Sequence, residues 1–348
     1  MKTAIVILNY NGEGHLRRFL PSVVEHNPDD VEIIVADNGS SDGSLALLKE
    51  EFPDVGTIEL PRNYGFAGGY NQALKLVNAD IYVILNSDVE VTEGWLEPLL
   101  SEMEKRPEVT ACQPKIKAAE NRKYFEYAGA SGGFMDKNGY PFCRGRIFDH
   151  TERDIGQHED EREIFWASGA CLIIRSAPFH EVGGFDDSLF AHMEEIDLCW
   201  RLKNQGHRIY CFPQSTVYHL GGGTLASSNP RKTYLNFRNN LSIIAKNDYK
   251  NSLFRKIFKR MIFDGAAAGY MLLTSGPKHF FAVMRAHYYF YSNLSRLLRE
   301  RKFWREKSHD INRTGLYKGS IVQDYFKDKK KVFGALATNL FVRQNRNA

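Results

Sequence analysis

Three carboxylates fall within four positions at Glu194-Glu195-Ile196-Asp197, where a helix over about Met193–Gln205 is predicted to begin. Acids favour helix N-termini because of the peptide dipoles, and Asp197 with Arg201 makes an ordinary i,i+4 pair. Those reasons account for some of the acids but not for the cluster. Crowded carboxylates raise one another's pKa and can produce a general base poised near neutrality. Asp88 closes Asn86-Ser87-Asp88 after the apolar run Ile81–Leu85, a place suited to holding a hard divalent cation through oxygen. One carboxylate does not complete a metal site. Mg2+, however, takes one or two and fills its other positions with water and substrate phosphates, so a diphosphate-bearing ligand would make the site coherent. The plain alternative is that Asp88 caps the following segment, Val89–Trp95. His219 ends a strand-like run before Gly221-Gly222-Gly223-Thr224. A lone His is more often structural than a ligand, and a metal site beside it would shift that balance.

Two further stretches could hold an anionic or nucleoside ligand. Val35-Ala36-Asp37-Asn38-Gly39-Ser40-Ser41-Asp42-Gly43 sets a carboxylate at a strand end, where a base or ribose could be hydrogen-bonded. An Asx turn with a helix N-cap explains the same residues equally well. Arg62-Asn63-Tyr64-Gly65-Phe66-Ala67-Gly68-Gly69-Tyr70-Asn71 opens a helix with small residues, leaving amides and one cation for an anion. It matches neither the P-loop nor the Rossmann fingerprint, and taken alone a glycine-rich helix start is the better reading.

The elements that must position these residues follow from periodicity. Ala4–Leu8, Glu32–Ala36 and Ile81–Leu85 are apolar β-rich runs separated by plausible helices, the alternation of a parallel βαβ sheet with helices on both faces. Ligands in such sheets sit past the carboxyl ends of the strands, here Asn9–Gly12, Asp37–Gly43 and Asn86–Asp88. Residues 115–165 read as loops and short antiparallel strands. A second ordered block holds the strand Ala170–Ile174, the turn Gly183-Gly184-Phe185-Asp186, the helix with the acids and the strand Arg208–Cys211.

With 43% hydrophobic and 25% charged residues, the chain has a globular composition and not a disordered one. Its net charge of +4 conceals an asymmetry. Residues 1–251 carry 26 Lys+Arg against 36 Asp+Glu, a balance of −10; residues 252–348 carry 20 against 6, a balance of +14. Such a basic block points to an anionic partner. Five cysteines, odd in number and without a CxxC pair, fit a reducing cytosol. The opening Thr3–Leu8 reads as a buried first strand and not as a signal peptide. From about Asn251 the pattern is helical. Phe280, Val283, Met284, His287/Tyr288, Tyr291, Leu294 and Leu298 recur at helical spacing ahead of Arg299, Arg301, Lys302, Arg305 and Lys307, the make-up of an interfacial helix or, equally, of one packed as core. The run Met261–Thr274 contains Asp264 and is too short to span a bilayer.

In this order the stretches resemble family 2 glycosyltransferases, especially bacterial rhamnosyltransferase-like members that build surface polysaccharides. The resemblance covers residues 3–245 and rests on Ile7–Gly12, Asp37–Gly43, Asn63–Ala67, Asn86–Asp88, Ser168–Ala170, Gly183–Asp186, Glu194–Leu198 and His219–Gly222. It implies a GT-A (Rossmann-like) α/β domain over 1–250, with a mostly parallel sheet flanked by helices, ahead of the helical, basic region that charge and spacing mark over 251–348. It also implies an inverting transfer from a nucleotide-diphosphate sugar to a glycan or lipid-linked acceptor, with Mg2+ or Mn2+. By that likeness Asp88 is the metal carboxylate of the DxD element, whose first acid is here Asn86, and His219 is the second metal ligand. Asp37 contacts the base, and Asn9, Asn11, Arg62, Asn63, Gly65, Asn71, Asn86 and Gly169 line the donor site. The family's base is the Asp of a Glu-Asp pair; this chain has Glu there, which makes Glu195 the base and Glu194 the reserve. The rival readings are a sugar-phosphate nucleotidyltransferase, whose early Arg/Lys-bearing glycine loop is missing, and a non-catalytic sugar-nucleotide-binding scaffold. The implied location is the cytoplasm, peripheral on the inner face of an anionic membrane, with no nucleic acid expected.

Overall fold

The computed structural model describes residues 1–221 and 229–343. The three apolar runs become β1 (Thr3–Asn9), β2 (Val31–Asp37) and β4 (Ile81–Asn86), and a fourth strand, β3 (Gly56–Glu59), lies between the last two in sequence. Their crossovers are α1 (Glu13–Glu25), α2 (Ser44–Glu51) and α3 (Gly65–Leu74). Then follow β5 (Val89–Glu90), α4 (Glu97–Lys105), β6 (Val109–Ala118), the short strands β7 (Gly133–Asp136), β8 (Pro141–Cys143), β9 (Arg146–Ile147), β10 (His150–Thr151) and β11 (Arg162–Glu163), and β12 (Cys171–Arg175). The rest comprises α5 (Ser176–Glu181), α6 (Glu194–Asn204), β13 (Arg208–His219), α7 (Pro230–Asn247), α8 (Leu253–Thr274), α9 (Pro277–Glu306) and β14 (Leu316–Tyr317).

Among the described residues nine strands form the main sheet, in the order β11-β13-β6-β12-β4-β1-β2-β3 with β5 on the end of β13. The run β4-β1-β2-β3 is parallel. Beyond it β12 is antiparallel to both β4 and β6, so the sheet is mixed overall. Period-two alternation divides β1 between two cores. Ala4 and Val6 join α3, α6 and α7, while Ile5 and Ile7 join α1, α2 and α4. Strand β6 is not among the runs that periodicity marked, and β13 continues beyond Arg208–Cys211, carrying Pro213 through a register shift between Phe212 and Thr216. All five cysteines are buried and unpaired.

The basic end of the chain packs in two ways. On α9, Val283, Phe290 and Leu297 are buried, whereas Tyr288 is 77% exposed and Tyr291 also faces outward. One side of α9 thus packs as core, and its other side is left exposed. Beyond α9, β14 pairs with β7 in a second sheet, and Asn312 donates to Glu163 at 2.6 Å and to the His207 carbonyl at 3.0 Å.

Candidate active site

Parallel register assembles the first part of the site. β1 pairs with β2 so that Asn9 lies opposite Asp37, and with β4 so that Leu8 lies opposite Asn86. Three polar side chains thereby meet at the carboxyl edge of three adjacent strands. Asp37 is buried and accepts from Asn9 Nδ2 at 3.1 Å and from the Ser40 amide at 2.9 Å. The turn reading is therefore met, and a ligand finds only the carboxylate's remaining lone pairs. Asn11, with φ +49°, accepts from the Ser41 amide at 2.7 Å and fixes the facing turn. Asn9 Oδ1 is buried without a partner, and a Cβ at Gly12 would come within 2.3 Å of it.

The stretch after Arg62 forms a glycine-rich helix start, α3. Its amides are already spent. Tyr64 donates to Asn38 Oδ1 at 3.0 Å, Gly65 to Asn63 Oδ1 at 2.7 Å, and Phe66 to the Phe190 carbonyl at 2.8 Å. Gly65 sits at φ +75° with its Cα against the Phe190 ring, which leaves no space for a side chain. Asn71 faces away: its amide accepts from Phe185 N at 2.9 Å and donates to Phe185 O at 2.8 Å and to Asp187, bracing the Gly183–Asp186 turn. Arg62 lies against the Asp37–Gly39 turn with its guanidinium over Tyr64. It alone of this stretch offers a charge.

The second part is built where β5 pairs with the end of β13, Val89 opposite His219. That pairing brings Asp88 Oδ1 to 3.1 Å from His219 Nε2, with Asn86 Nδ2 at 3.4 Å from the same nitrogen. On the other side of the ring, Nδ1 lies 3.2 Å from Glu126 Oε2, close in charge although off the line of a good hydrogen bond. Burial disfavours the imidazolium, but the bonds and charges of Asp88 and Glu126 outweigh it and push His219 up to about 10. Burial likewise opposes the Asp88 carboxylate, yet His219 holds it below its usual value. Two ligands bound at about 2.1 Å and at a right angle stand about 3 Å apart, so the Asp88–His219 separation suits one divalent ion. With an ion there, Glu126 would orient the imidazole from behind, the usual outer support of a metal-bound His. Among the described residues no three His, Cys, Asp or Glu side chains converge as a complete cage. Water and substrate oxygens would have to supply the rest. Glu126 lies in the weakly periodic 115–165 region, and no sequence signal marked it. Gly222–Thr224 of the glycine run lie outside the described residues.

The third part opens α6. Phe190, His192 and Met193 all have positive φ, an uncommon state for side chains of this size that needs outside support. α7 supplies it: Asn239 Nδ2 donates to the carbonyls of Leu189, Ala191 and His192 at 3.0, 2.9 and 2.6 Å. Asp197 pairs with Arg201 at 2.8 Å and with Lys246 at 3.0 Å, so it anchors the helix. Glu194 and Glu195 are left facing the site, and Oε2 of each is buried without a hydrogen-bond partner. Burial pushes Glu195 up to about 7. Burial, then the charge of Glu195, raises Glu194 well above the carboxylate range. A Cβ at Gly169 would lie 3.6 Å from Glu195 Cβ, and the adjoining Ala170 carbonyl accepts from Asn86 N at 3.0 Å. This link joins the carboxylate pair to the edge that carries Asn86 and Asp88.

The sequence profile described as glycosyl transferase family 2 matches residues 4–183. An N-acetylglucosaminyl-diphospho-decaprenol L-rhamnosyltransferase of Mycobacterium tuberculosis is 28% identical over 229 residues, 62% of this chain and 75% of that protein. An O-antigen biosynthesis protein of Myxococcus xanthus is 30% identical over 212 residues, 58% of this chain but only 16% of the larger protein. Among solved structures, GalNAc-T7 with UDP, GalNAc and Mn2+ superimposes with a TM-score of 0.59 at 16% identity, over 89% of this chain and 55% of its own. A mannosyltransferase of Pyrobaculum calidifontis with GDP-Man and Mn2+ gives 0.52 at 14% identity, over 88% and 83%. At such identities the structural likeness is one of fold, the GT-A fold. The chain belongs to glycosyltransferase family 2 and is a rhamnosyltransferase-like transferase built on that fold.

Proposed function

We propose that this enzyme transfers a sugar from a nucleoside-diphosphate sugar to a hydroxyl of a lipid-linked or glycan acceptor by one inverting displacement, in cell-surface polysaccharide synthesis. The observation that carries this reading is the carboxylate pair opening α6. Burial and the charge of Glu195 raise Glu194, and burial pushes Glu195 up to about 7, so we assign Glu195 as the member that ionises near neutrality and removes the acceptor's proton. Oε2 of each is buried without a hydrogen-bond partner, which speaks against a fold that has lost turnover and kept only binding. Asp88 and His219 would hold Mg2+ or Mn2+, which when bound supplies positive charge to the leaving nucleoside diphosphate. Asn9, Asn11, Asp37, Arg62 and Asn63 shape the end of the pocket for the nucleoside. The test is transfer from a panel of UDP-, GDP- and dTDP-sugars with Mn2+, with the product's anomeric configuration read by NMR. Inversion is expected; retention would remove the single displacement, and no transfer from any donor would favour a scaffold.

The relative named for a decaprenyl-diphosphate-linked acceptor supports a lipid-linked substrate here, and α8 offers a surface to meet it. No helix among the described residues is long and apolar enough to cross a membrane. Phe254, Phe258, Ile262 and Leu273 line the outer face of α8 over its 22 residues, and they are 64%, 69%, 57% and 86% exposed. Arg255 and Lys259 are exposed among them, and 265–299 contains no Asp or Glu. An apolar stripe edged by cations fits an anionic lipid surface with the helix lying in its plane. Replacing Phe254, Phe258 and Leu273 by Ser should weaken sedimentation with phosphatidylglycerol vesicles by about tenfold or more. Wild-type binding should fall with salt; binding indifferent to salt and lipid charge would sink the docking surface.

A further inference from the structure

A cavity of roughly 310 Å³ lies at the opposite end of α6 from the carboxylate pair. Eleven residues of helix separate the two, about 15 Å from Glu194 to Asn204. Its inner wall is aromatic, with Phe165, Trp200 and Tyr317 buried. Four exposed cations stand on its rim, Lys137, Lys250, Arg313 and Lys318, and none makes an ion pair with a carboxylate among the described residues. The acids of the wall are occupied. Asp136 accepts from the amides of Asn138, Tyr140 and Ile321 at 2.8, 2.9 and 3.0 Å, and Asp248 is paired with Lys256. One buried polar atom of the lining, Asn247 Oδ1, has no hydrogen-bond partner among the described residues.

We propose that this cavity binds a phosphate-bearing ligand, its phosphoryl oxygens among Lys250, Arg313 and Lys318 and its organic part against Trp200 and Tyr317. Ordinary surface lysines diverge into water. These cations come from two distant segments and converge because the later one is fastened: the Asn312 amide donates to the Lys203 carbonyl at 2.8 Å, and its side chain to Glu163 and His207. The crowding has an electrostatic cost. Partial burial first, and then the charge of Lys256, with those of Arg313 and Lys318 and against the pull of Asp248, hold the Lys250 ammonium below its usual value. A phosphate relieves this repulsion and presents three oxygens to donors arriving from different directions, including the Arg313 fork. The carboxylate of a simple acid meets fewer of them.

The same chemistry is available from a soluble phosphate ester or from a lipid phosphate, since Lys256 stands on the first turn of α8. The inference does not depend on the catalytic reading. The experiment uses the whole chain in EDTA, with thermal-shift titration of inorganic phosphate and glycerol 3-phosphate. Wild type is expected to be stabilised, and the combined Lys250→Ala, Arg313→Ala and Lys318→Ala variant to bind about tenfold or more weakly. These positions are exposed, and an unchanged midpoint without phosphate certifies the variant's fold; if it fails to fold, single Lys250→Gln and Lys318→Gln variants must each weaken binding. Displacement of glycerol 3-phosphate by phosphatidate vesicles identifies a lipid source, and its persistence a soluble one. No stabilisation, equal stabilisation of wild type and variant, or loss of phosphate binding when UDP and Mn2+ are added would overturn the proposal. The last result would put the phosphate in the donor site.

Discussion

Glu195→Gln is expected to lower sugar transfer by a factor on the order of 10² to 10⁴, the usual contribution of a positioned acid or base, while leaving donor binding nearly intact. The substitution keeps the shape of the side chain and removes only its capacity to take a proton. Because burial pushes Glu195 up to about 7, the wild-type rate should climb with pH through that value as the carboxyl ionises. The residual rate of the variant should lose that limb. Stability provides the control. A buried carboxyl whose pKa is raised in the folded state contributes full stability below its unfolded value, near 4.3, and loses it as pH rises through the folded value near 7. Glu195→Gln removes that loss, so at pH 8 the variant should be at least as stable as wild type, and unfolding cannot explain its inactivity. Single-turnover transfer and donor titration on both proteins make the measurement. If Glu195→Gln keeps a near wild-type rate and Glu194→Gln does not, the base is Glu194, and the strained turn at His192–Met193 aims the first carboxylate, not the second, at the acceptor.

Continuous apolar runs alternating with plausible helices identified β1, β2 and β4 in the sequence, and with them the edge where Asn9, Asp37 and Asn86 meet. Local runs carry that information because a buried strand flanked by helices must be apolar throughout. Long-range pairing is not written locally. Asp88 and His219 are 131 residues apart and meet only because two residues of β5 pair with the last turn of β13. Glu126 came from a stretch with no period, so nothing in the chain distinguished it from a solvated acid. The amides after Arg62 show the same dependence on distant chain. Their spacing suits an anion, but Asn38, Asn63 and the Phe190 carbonyl from a distant turn already accept from them. In the same way the apolar residues of α9 were visible, while the division of its faces between core and solvent depended on where α7 and α8 packed.

Asp88→Ala is expected to abolish the gain in nucleoside-diphosphate affinity that Mn2+ gives the wild type. The first 251 residues carry a balance of −10, so a diphosphate enters an acidic domain, and burying such charge without a counter-ion is costly. Asp88 is the one carboxylate at the strand edge facing His219 Nε2, whereas Glu126 lies on the far side of the ring. Removing it leaves a single imidazole, and one neutral ligand holds a hard divalent ion poorly. The loss should reach about two orders of magnitude in affinity, near 2.7 kcal/mol. Titration of UDP and GDP by calorimetry, each in Mn2+ and in EDTA, separates the contributions. In EDTA the two proteins should bind alike and weakly, because the nucleoside contacts around Asn9 and Asp37 are untouched. In Mn2+ only the wild type should tighten. A variant that gains as much from Mn2+ as the wild type would remove Asp88 from the metal site, and the ion would then have to rest on His219 with Glu126.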